Sequence, residues 1–203
     1  MLRLYDYLDS GNGYKVRLLL RLLGRPYQLV PMDILRGETR TPEFLAKNPN
    51  GRIPVLEFPD GRCLAESNAI LFHLAEGTPL LPSDAFERAL VLQWMCFEQY
   101  SHEPNIATVR FWKRHLTLDA GKQAQLASKV EQGYAALGVM QQHLAQRSCF
   151  VAERFSIADI ALYAYTHVAH EGGFNLEQYP AVLAWLERCA ARPGYVAMTE
   201  GTP

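Results

Sequence analysis

Three short segments in the first third of the chain place polar side chains where the sequence pattern starts a helix or a strand. They are Asp9-Ser10-Gly11-Asn12-Gly13-Tyr14, Asn48-Pro49-Asn50-Gly51-Arg52-Ile53-Pro54-Val55-Leu56 and Glu66-Ser67. The start of a helix presents N–H groups and the positive end of its dipole, so it attracts anions such as a thiolate or a carboxylate. Two such starts together with Arg52 would suit a small ligand that carries several negative groups.

Short strands alternate with short helices over residues 1–80, and these elements must position the three segments. Residues 2–5 alternate polar and apolar positions, as a half-buried strand does, and Gly24 ends an amphipathic helical pattern. The pattern predicts strands at 2–5, 27–30, 53–58 and 63–65. It also predicts three helices: one through 16–23, a second that starts after Thr41, and a third that Ser67 caps and that runs to Ala75. The order β-α-β-α-β-β-α indicates a small α/β domain with a mixed sheet.

The strand patterns disappear beyond a proline-marked linker at 78–83. The remaining apolar positions recur every three or four residues, which is typical of amphipathic helices. We expect helices at 84–114 with a bend at Pro104, from 122 onward with Gly133 at a close helix approach, after Ser156, and at 180–191. The second part of the chain is therefore predicted to be all-α.

Composition excludes several classes of protein. The 203 residues carry 20 Lys+Arg and 21 Asp+Glu, so a basic surface for nucleic acid is not expected. No apolar run is long enough to span a membrane, and the four cysteines form no C-x-x-C pair. His167 and His170 are too few ligands for a metal site. We expect a soluble, cytoplasmic protein without a bound metal.

In their order and spacing, these motifs resemble the glutathione transferase family. Gly51-Arg52-Ile53-Pro54-Val55-Leu56 precedes Glu66-Ser67 by ten residues, and Phe155-Ser156-Ile157-Ala158-Asp159-Ile160 is a further match in the second part. The resemblance covers nearly the whole chain. It implies an N-terminal thioredoxin-like domain at 1–77, a linker at 78–83 and an all-helical C-terminal domain at 84–203.

The resemblance also implies a role for each residue of the second and third segments. Pro54 would follow a cis peptide bond, and the backbone of Ile53 would pair with the cysteinyl part of glutathione like an added strand. Arg52 would face the glycyl carboxylate. Ser67 would hold the γ-glutamyl carboxylate, and Glu66 would accept from the γ-glutamyl ammonium. Glutathione is thus expected as a co-substrate.

The contact to the glutathione thiol has three candidates. Ser10 is the first, because serine-type members of the family place a hydroxyl donor at this strand-to-helix turn. Asn12 competes with it, because some bacterial and fungal relatives contact the sulfur with an asparagine two positions after a Thr or Ser. Other classes use a tyrosine at the end of the first strand, which makes Tyr7 the third candidate and leaves Tyr5 as a packed residue.

Two features are expected in the helical part. Ser156 and Asp159 form a capping box at a helix start, with an aspartate in place of the usual Glu or Gln. A pocket for the second substrate could be lined by Tyr7, Tyr100, Arg110 and Phe111, for which ordinary packing is the alternative.

The resulting function is glutathione transfer to a small, largely apolar electrophile, by a two-fold homodimer that binds neither nucleic acid nor membrane. Two alternatives remain open. One is glutathione-dependent reduction of disulfides or peroxides, which a contact between Asn12 and the sulfur would favour. The other is a non-catalytic interaction module on the same fold.

Overall fold

Residues 1–200 are described by a computed structural model, in which the chain divides into two compact units. One unit is formed by residues 1–78 together with the segment that begins at Arg192, and the other runs from Pro79 to Ala191. The C-terminal segment, expected within the helical domain at 84–203, therefore lies with the N-terminal unit.

The first unit is built on a mixed four-stranded sheet. Its strands are β1 (Leu2–Asp6), β2 (Tyr27–Pro31), β3 (Val55–Glu57) and β4 (Cys63–Ala65), in the order β2-β1-β3-β4. Strand β1 is parallel to β2 and antiparallel to β3, and β3 is antiparallel to β4. The helices of this unit are α1 (Gly11–Leu22), α2 (Pro42–Leu45) and α3 (Ser67–Ala75), and α1 packs against α3. This architecture confirms the predicted thioredoxin-like class.

Local sequence patterns account for most of these boundaries. Ser10 is the N-cap of α1, and Gly24 follows its end with a φ of 61°. The Oγ1 of Thr41 accepts from the N–H of Phe44 at 3.3 Å and caps α2. Strand β3 is shorter than the expected 53–58, and two 3₁₀ turns between β2 and α2 had no counterpart in the predicted pattern.

Arg17 of α1 joins the C-terminal segment to the first unit. Its guanidinium is completely buried, and its Nε lies 2.8 Å from Oδ2 of Asp6. The other nitrogens donate to the carbonyls of Leu8, at 2.7 Å, and of Met198, at 2.8 Å. One side chain thus holds the end of β1, the turn before α1 and the last described residues together.

The second unit contains only helices and turns. They are α4 (Ala85–Phe97), α5 (Glu103–His115), α6 (Ala120–Leu144), α7 (Ile157–Thr166) and α8 (Pro180–Ala190), with a π-helical segment at Glu98–His102 and a 3₁₀ turn at Ala169–Gly172. The long helix expected to bend at Pro104 is interrupted just before that residue. Pro104 lies in the first turn of α5, directly after the π-helical segment. Within residues 1–200, no helix is long and apolar enough to cross a membrane.

Aromatic rings form the centre of the second unit. Phe150 lies 4.7 Å from the ring of Trp94 and 5.2 Å from that of Trp185, measured between centroids. Gly133 of α6 gives room to the ring of Phe174, because a Cβ at Gly133 would lie 2.6 Å from that ring. The close approach expected at Gly133 is therefore made chiefly by the ring of Phe174, which lies in a loop, and less by a neighbouring helix.

Candidate functional site

The turn between β1 and α1 holds the Ser10 hydroxyl at the helix start. Its Oγ accepts from the N–H of Gly13 at 3.4 Å, and its own N–H donates to the carbonyl of Tyr7 at 2.8 Å. Gly13 lies so close to Asp6 that a Cβ there would overlap the Asp6 carboxyl group. The half-buried hydroxyl still carries a proton that it can donate, which suits stabilisation of an anion.

Asn12 connects the starts of α1 and α3. Its Oδ1 accepts from Nζ of Lys15 at 2.8 Å and from the hydroxyl of Ser67 at 3.3 Å. The structure thus brings together Asn12 and Ser67, which lie 55 positions apart in the chain. Lys15 was not among the residues expected here, because a lysine within a helix is ordinarily a solvated charge.

Ser67 is not the N-cap of α3, so the expected capping role is wrong. The N-cap is Glu66, whose backbone has a φ of 67° and a ψ of 111° and whose side chain makes no capping bond. Ser67 is the first helical residue, and its hydroxyl donates to Asn12 instead. Such backbone angles cost a non-glycine residue about 1–3 kcal/mol and occur most often at functional sites. The Glu66 side chain itself is exposed.

The segment before β3 presents an exposed guanidinium and an open stretch of backbone. The Ile53–Pro54 peptide bond is cis, as the resemblance implies. Nδ2 of Asn48 donates to the carbonyl of Arg52 at 2.7 Å. Over residues 1–200, the Arg52 side chain makes no hydrogen bond or ion pair, and neither backbone polar group of Ile53 is bonded to the protein. Both are therefore accessible to a ligand.

A second cation lies beside this segment and was not expected from the sequence. Nη1 of Arg40 donates to the carbonyl of Asn50 at 3.1 Å, and a Cβ at Gly51 would overlap the same nitrogen. Arg40 is the last residue of a 3₁₀ turn, and no sequence motif marks its approach to Gly51. The second segment thus adjoins two exposed guanidinium groups, Arg40 and Arg52.

The two tyrosines of the first strand region differ in environment. The Tyr5 hydroxyl donates to Glu57 at 2.6 Å, and the Nζ of Lys47 lies 5.1 Å from its ring centroid. Burial, followed by the bond to Glu57, raises the pKa of Tyr5 above its ordinary value. Tyr5 is thus packed, as expected, whereas Tyr7 is only half-buried and stays a candidate.

In the helical unit, the residues expected to line a second-substrate pocket lie in different surroundings. Arg110 is buried, and its Nε lies 2.7 Å from Oε2 of Glu171. Tyr100 is 88% exposed in the π-helical segment. Phe111 is half-buried, with its ring centroid 5.0 Å from that of His115. Glu171 thus holds the Arg110 guanidinium in place. The pocket role stays a prediction for all the residues named for it: Tyr7, Tyr100, Arg110 and Phe111.

The expected capping box is present at the start of α7. The N–H of Ser156 donates to Oδ2 of Asp159 at 2.9 Å, and Oγ of Ser156 accepts from the N–H of Ala158 at 3.2 Å. Oδ1 of Asp159 also accepts from Nε1 of Trp185 at 3.0 Å. Burial raises the pKa of Asp159 to about 6, although the hydrogen bonds from Trp185 and Ser156 act in the opposite direction and lower it.

Histidines in this unit make structural contacts. Nδ1 of His167 lies 2.9 Å from the carbonyl oxygen of Tyr163, and the two rings stack with centroids 4.6 Å apart. Burial lowers the pKa of His167 to about 4. In the described part of the chain, no group of three or more His, Cys, Asp or Glu side chains could hold a metal ion, and no cysteine is in a disulfide.

Comparison with known proteins identifies the family. The N-terminal domain of glutathione S-transferase matches residues 1–76, and the C-terminal domain of glutathione S-transferase matches residues 92–193. The chain therefore belongs to the glutathione S-transferase family.

Three relatives illustrate the similarity. The solved glutathione S-transferase of Pseudomonas fluorescens Pf-5 is 51% identical, with a TM-score of 0.96 over 98% of this chain and 99% of that one. A glutathione transferase of Burkholderia graminis, solved with two glutathione molecules per subunit, is 30% identical, with a TM-score of 0.83 over 95% of this chain and 85% of that one. Maleylacetoacetate isomerase of Rhizobium meliloti is 34% identical over 92% of this chain and 90% of its own.

Proposed function

We propose that this protein is a glutathione transferase that joins the glutathione thiolate to small, largely apolar electrophiles. The observation that carries the proposal is the hydrogen bond between Ser67 Oγ and Asn12 Oδ1, which brings two helix starts together. Both starts direct N–H groups and positive dipole ends at an anion. The accessible guanidinium of Arg52 supplies a further anion contact.

Each part of glutathione has a complementary group in the first unit. The γ-glutamyl carboxylate would bind Ser67, and its ammonium would bind the exposed carboxylate of Glu66. The N–H and C=O of Ile53 would pair with the cysteinyl residue, since neither is bonded within residues 1–200. Arg52, together with the neighbouring Arg40, would bind the glycyl carboxylate.

The reaction needs a thiolate held next to its electrophile. A thiol with a pKa of about 8.5 is only a few per cent ionised at neutral pH, and a decrease of about 2 units would require about 2.7 kcal/mol of preferential stabilisation of the anion. The hydroxyl of Ser10 and the carboxamide of Asn12 would donate to the sulfur. The sulfur lone pair then attacks the electrophilic carbon, the thiol proton goes to solvent, and the leaving group departs with its electron pair.

Glutathione-affinity capture followed by turnover of an aryl halide tests this proposal. Ser10→Ala and Asn12→Ala are expected to lower kcat/KM, whereas Ser128→Ala, on the exposed face of α6, serves as the matched control. If neither variant loses activity, Tyr7 becomes the thiol contact. Failure to bind glutathione at millimolar concentration would reject every glutathione-dependent function.

Two other reactions of the same thiolate have a specific observation in their favour. The Burkholderia graminis relative holds two glutathione molecules, which is the stoichiometry that reduction of a disulfide or peroxide by glutathione requires. The Rhizobium meliloti relative is named an isomerase, and a thiolate that adds to a double bond and then leaves would isomerise it without consuming glutathione. Parallel assays with a mixed disulfide and with a cis-enone distinguish these reactions from transfer.

The expected homodimer is tested by sedimentation of the whole protein.

A further inference from the structure

The C-terminal segment is anchored to α1 through its own backbone carbonyls. Nη1 of Arg17 donates to the carbonyls of Met198, at 2.8 Å, and of Glu200, at 3.0 Å. The hydroxyl of Tyr14 donates to the carbonyl of Val196 at 2.7 Å. The side chains of Val196 and Met198 are buried. The segment is therefore packed into the first unit and held there by two side chains of α1.

The same guanidinium holds the turn that carries the first candidate for the thiol contact. Nη2 of Arg17 donates to the carbonyl of Leu8 at 2.7 Å, and Leu8 lies two positions before Ser10. The N–H of Ser10 donates to the carbonyl of Tyr7 at 2.8 Å, which closes the turn. The position of the Ser10 hydroxyl therefore depends on where Arg17 holds the Leu8 carbonyl.

An arginine is needed to make all of these contacts at once. Nε of Arg17 also lies 2.8 Å from Oδ2 of Asp6, so one guanidinium binds a carboxylate and three carbonyls. A guanidinium has five N–H donors in a rigid fork, whereas a lysine ammonium has three donors at a single point. A lysine could pair with Asp6 but could not reach all three carbonyls as well. Neutralisation of Asp6 therefore does not explain the arginine, and the contacts to the turn and to the C-terminal segment do.

We propose that Arg17 is a positioning residue through which the C-terminal segment braces the turn that presents the Ser10 hydroxyl to the glutathione sulfur. This inference rests on the proposed function. The two carbonyls of the segment keep the guanidinium in the orientation that reaches Leu8. A displacement of about 1 Å at a reacting group is enough to slow catalysis. Glutathione bound at the turn should in return stabilise the segment, because coupling between two sites is reciprocal.

Arg17→Lys tests the role, because it keeps a charge beside Asp6 and removes the fork. We expect the pKa of the bound glutathione thiol to rise by roughly one unit, from ~6.5 to ~7.5. The thiolate fraction and kcat at about pH 7 should then fall about threefold and recover above about pH 8.5, with KM for glutathione little changed. The ultraviolet absorbance of the thiolate measures this pKa. An unchanged pKa would mean that Arg17 only neutralises Asp6, and it would overturn the inference.

Hydrogen exchange of the wild-type protein tests the same coupling without a substitution. Saturation with glutathione should slow the exchange of amides in the C-terminal segment, while peptides from α6, in the other unit, should exchange as before. The protection should be lost in Arg17→Lys. Unchanged exchange in the wild-type segment would overturn the inference, and this result decides the matter if Arg17→Lys does not fold.

Two control variants separate positioning from a loss of stability. Leu74→Ala removes a buried side chain near the end of α3 and should lower stability without changing the thiol pKa. Arg188→Lys changes an exposed arginine that donates to the carbonyl of Ser148, and it should leave the thiol pKa and kcat unchanged. A thiol pKa that rises equally in Leu74→Ala would assign the effect to general loosening and would overturn the inference, with the proposed function intact. Wild-type protein that binds no glutathione would reject both.

Discussion

Removal of the Asp159 carboxylate should strongly destabilise the helical unit. The side chain is completely buried, and it accepts hydrogen bonds from three N–H groups. Oδ2 accepts from Ser156 at 2.9 Å, and Oδ1 accepts from Trp185 Nε1 at 3.0 Å and from the N–H of Phe150 at 3.3 Å. We predict that Asp159→Ala lowers the free energy of unfolding by more than the ~1 kcal/mol expected for an ordinary N-cap.

The magnitude follows from two opposed contributions. Three buried N–H donors lose their acceptor at about 1–3 kcal/mol each, which amounts to roughly 6 kcal/mol in the middle of that range. Burial raises the pKa of Asp159 from 3.8 to about 6, so the charged form is disfavoured by about 3 kcal/mol near neutral pH, and alanine removes that cost. The expected net loss is about 3 kcal/mol near neutral pH.

The loss should also depend on pH in a defined direction. Because the folded-state pKa of Asp159 lies above the unfolded value, its protonation stabilises the folded protein fully below about pH 4, and this contribution disappears as the pH rises through about 6. Asp159→Ala should therefore cost about 1 kcal/mol more at about pH 5 than at about pH 7.5.

Urea unfolding followed by circular dichroism at these two pH values measures both effects. Asp119→Ala is the matched control, because Asp119 also caps a helix but is exposed. The contact with Lys122 lowers the pKa of Asp119, so the cost of the control substitution should be smaller and should decrease as the pH falls. A loss for Asp159→Ala below about 1 kcal/mol, or one that grows with pH, would refute the reasoning.

Three further predictions, the first with a control substitution, concern other parts of the structure. Gly133→Ala should lower the melting temperature because its Cβ would lie 2.6 Å from the ring of Phe174, whereas Gly138→Ala, with open space, should raise it or leave it unchanged. Arg17→Met removes the counter-charge of the buried Asp6 carboxylate at the end of β1. Burial raises the pKa of Asp6 to about 7, so more of this carboxyl group is charged at alkaline pH. Urea unfolding should therefore show a loss of roughly 3 kcal/mol that is greater at alkaline than at acidic pH. Glu66→Gly should raise the melting temperature by relieving a φ of 67°, while calorimetry should show weaker glutathione binding.

Much of the fold could be predicted because it depends on neighbouring residues. Ser10 and Gly24 bound α1 through local capping rules, and the alternation in residues 2–5 predicts β1. The helix expected to bend at Pro104 becomes π-helical over Glu98–His102, just before that proline, and the sequence pattern gives no indication of the π-helical form.

The parts of the site that escaped prediction depend on contacts between distant segments. Lys15 is buried in a helix, α1, that packs against α3, and a one-sided helical pattern gives no indication of this burial. The capping role expected for Ser67 failed because the preceding residue adopts a positive φ, which a glutamate gives no reason to predict. The place of the C-terminal segment depends on Arg17, a residue that the periodicity assigns simply to a helix.

A costly backbone conformation lies beside the Ser67–Asn12 hydrogen bond. Glu66, directly before Ser67, has strained backbone angles at the start of α3. Local stability does not explain this conformation, because glycine would adopt the same angles at a lower cost. A fold retains such a feature where it improves binding of an anionic ligand, so a variant that relieves it should gain stability as it loses affinity or turnover.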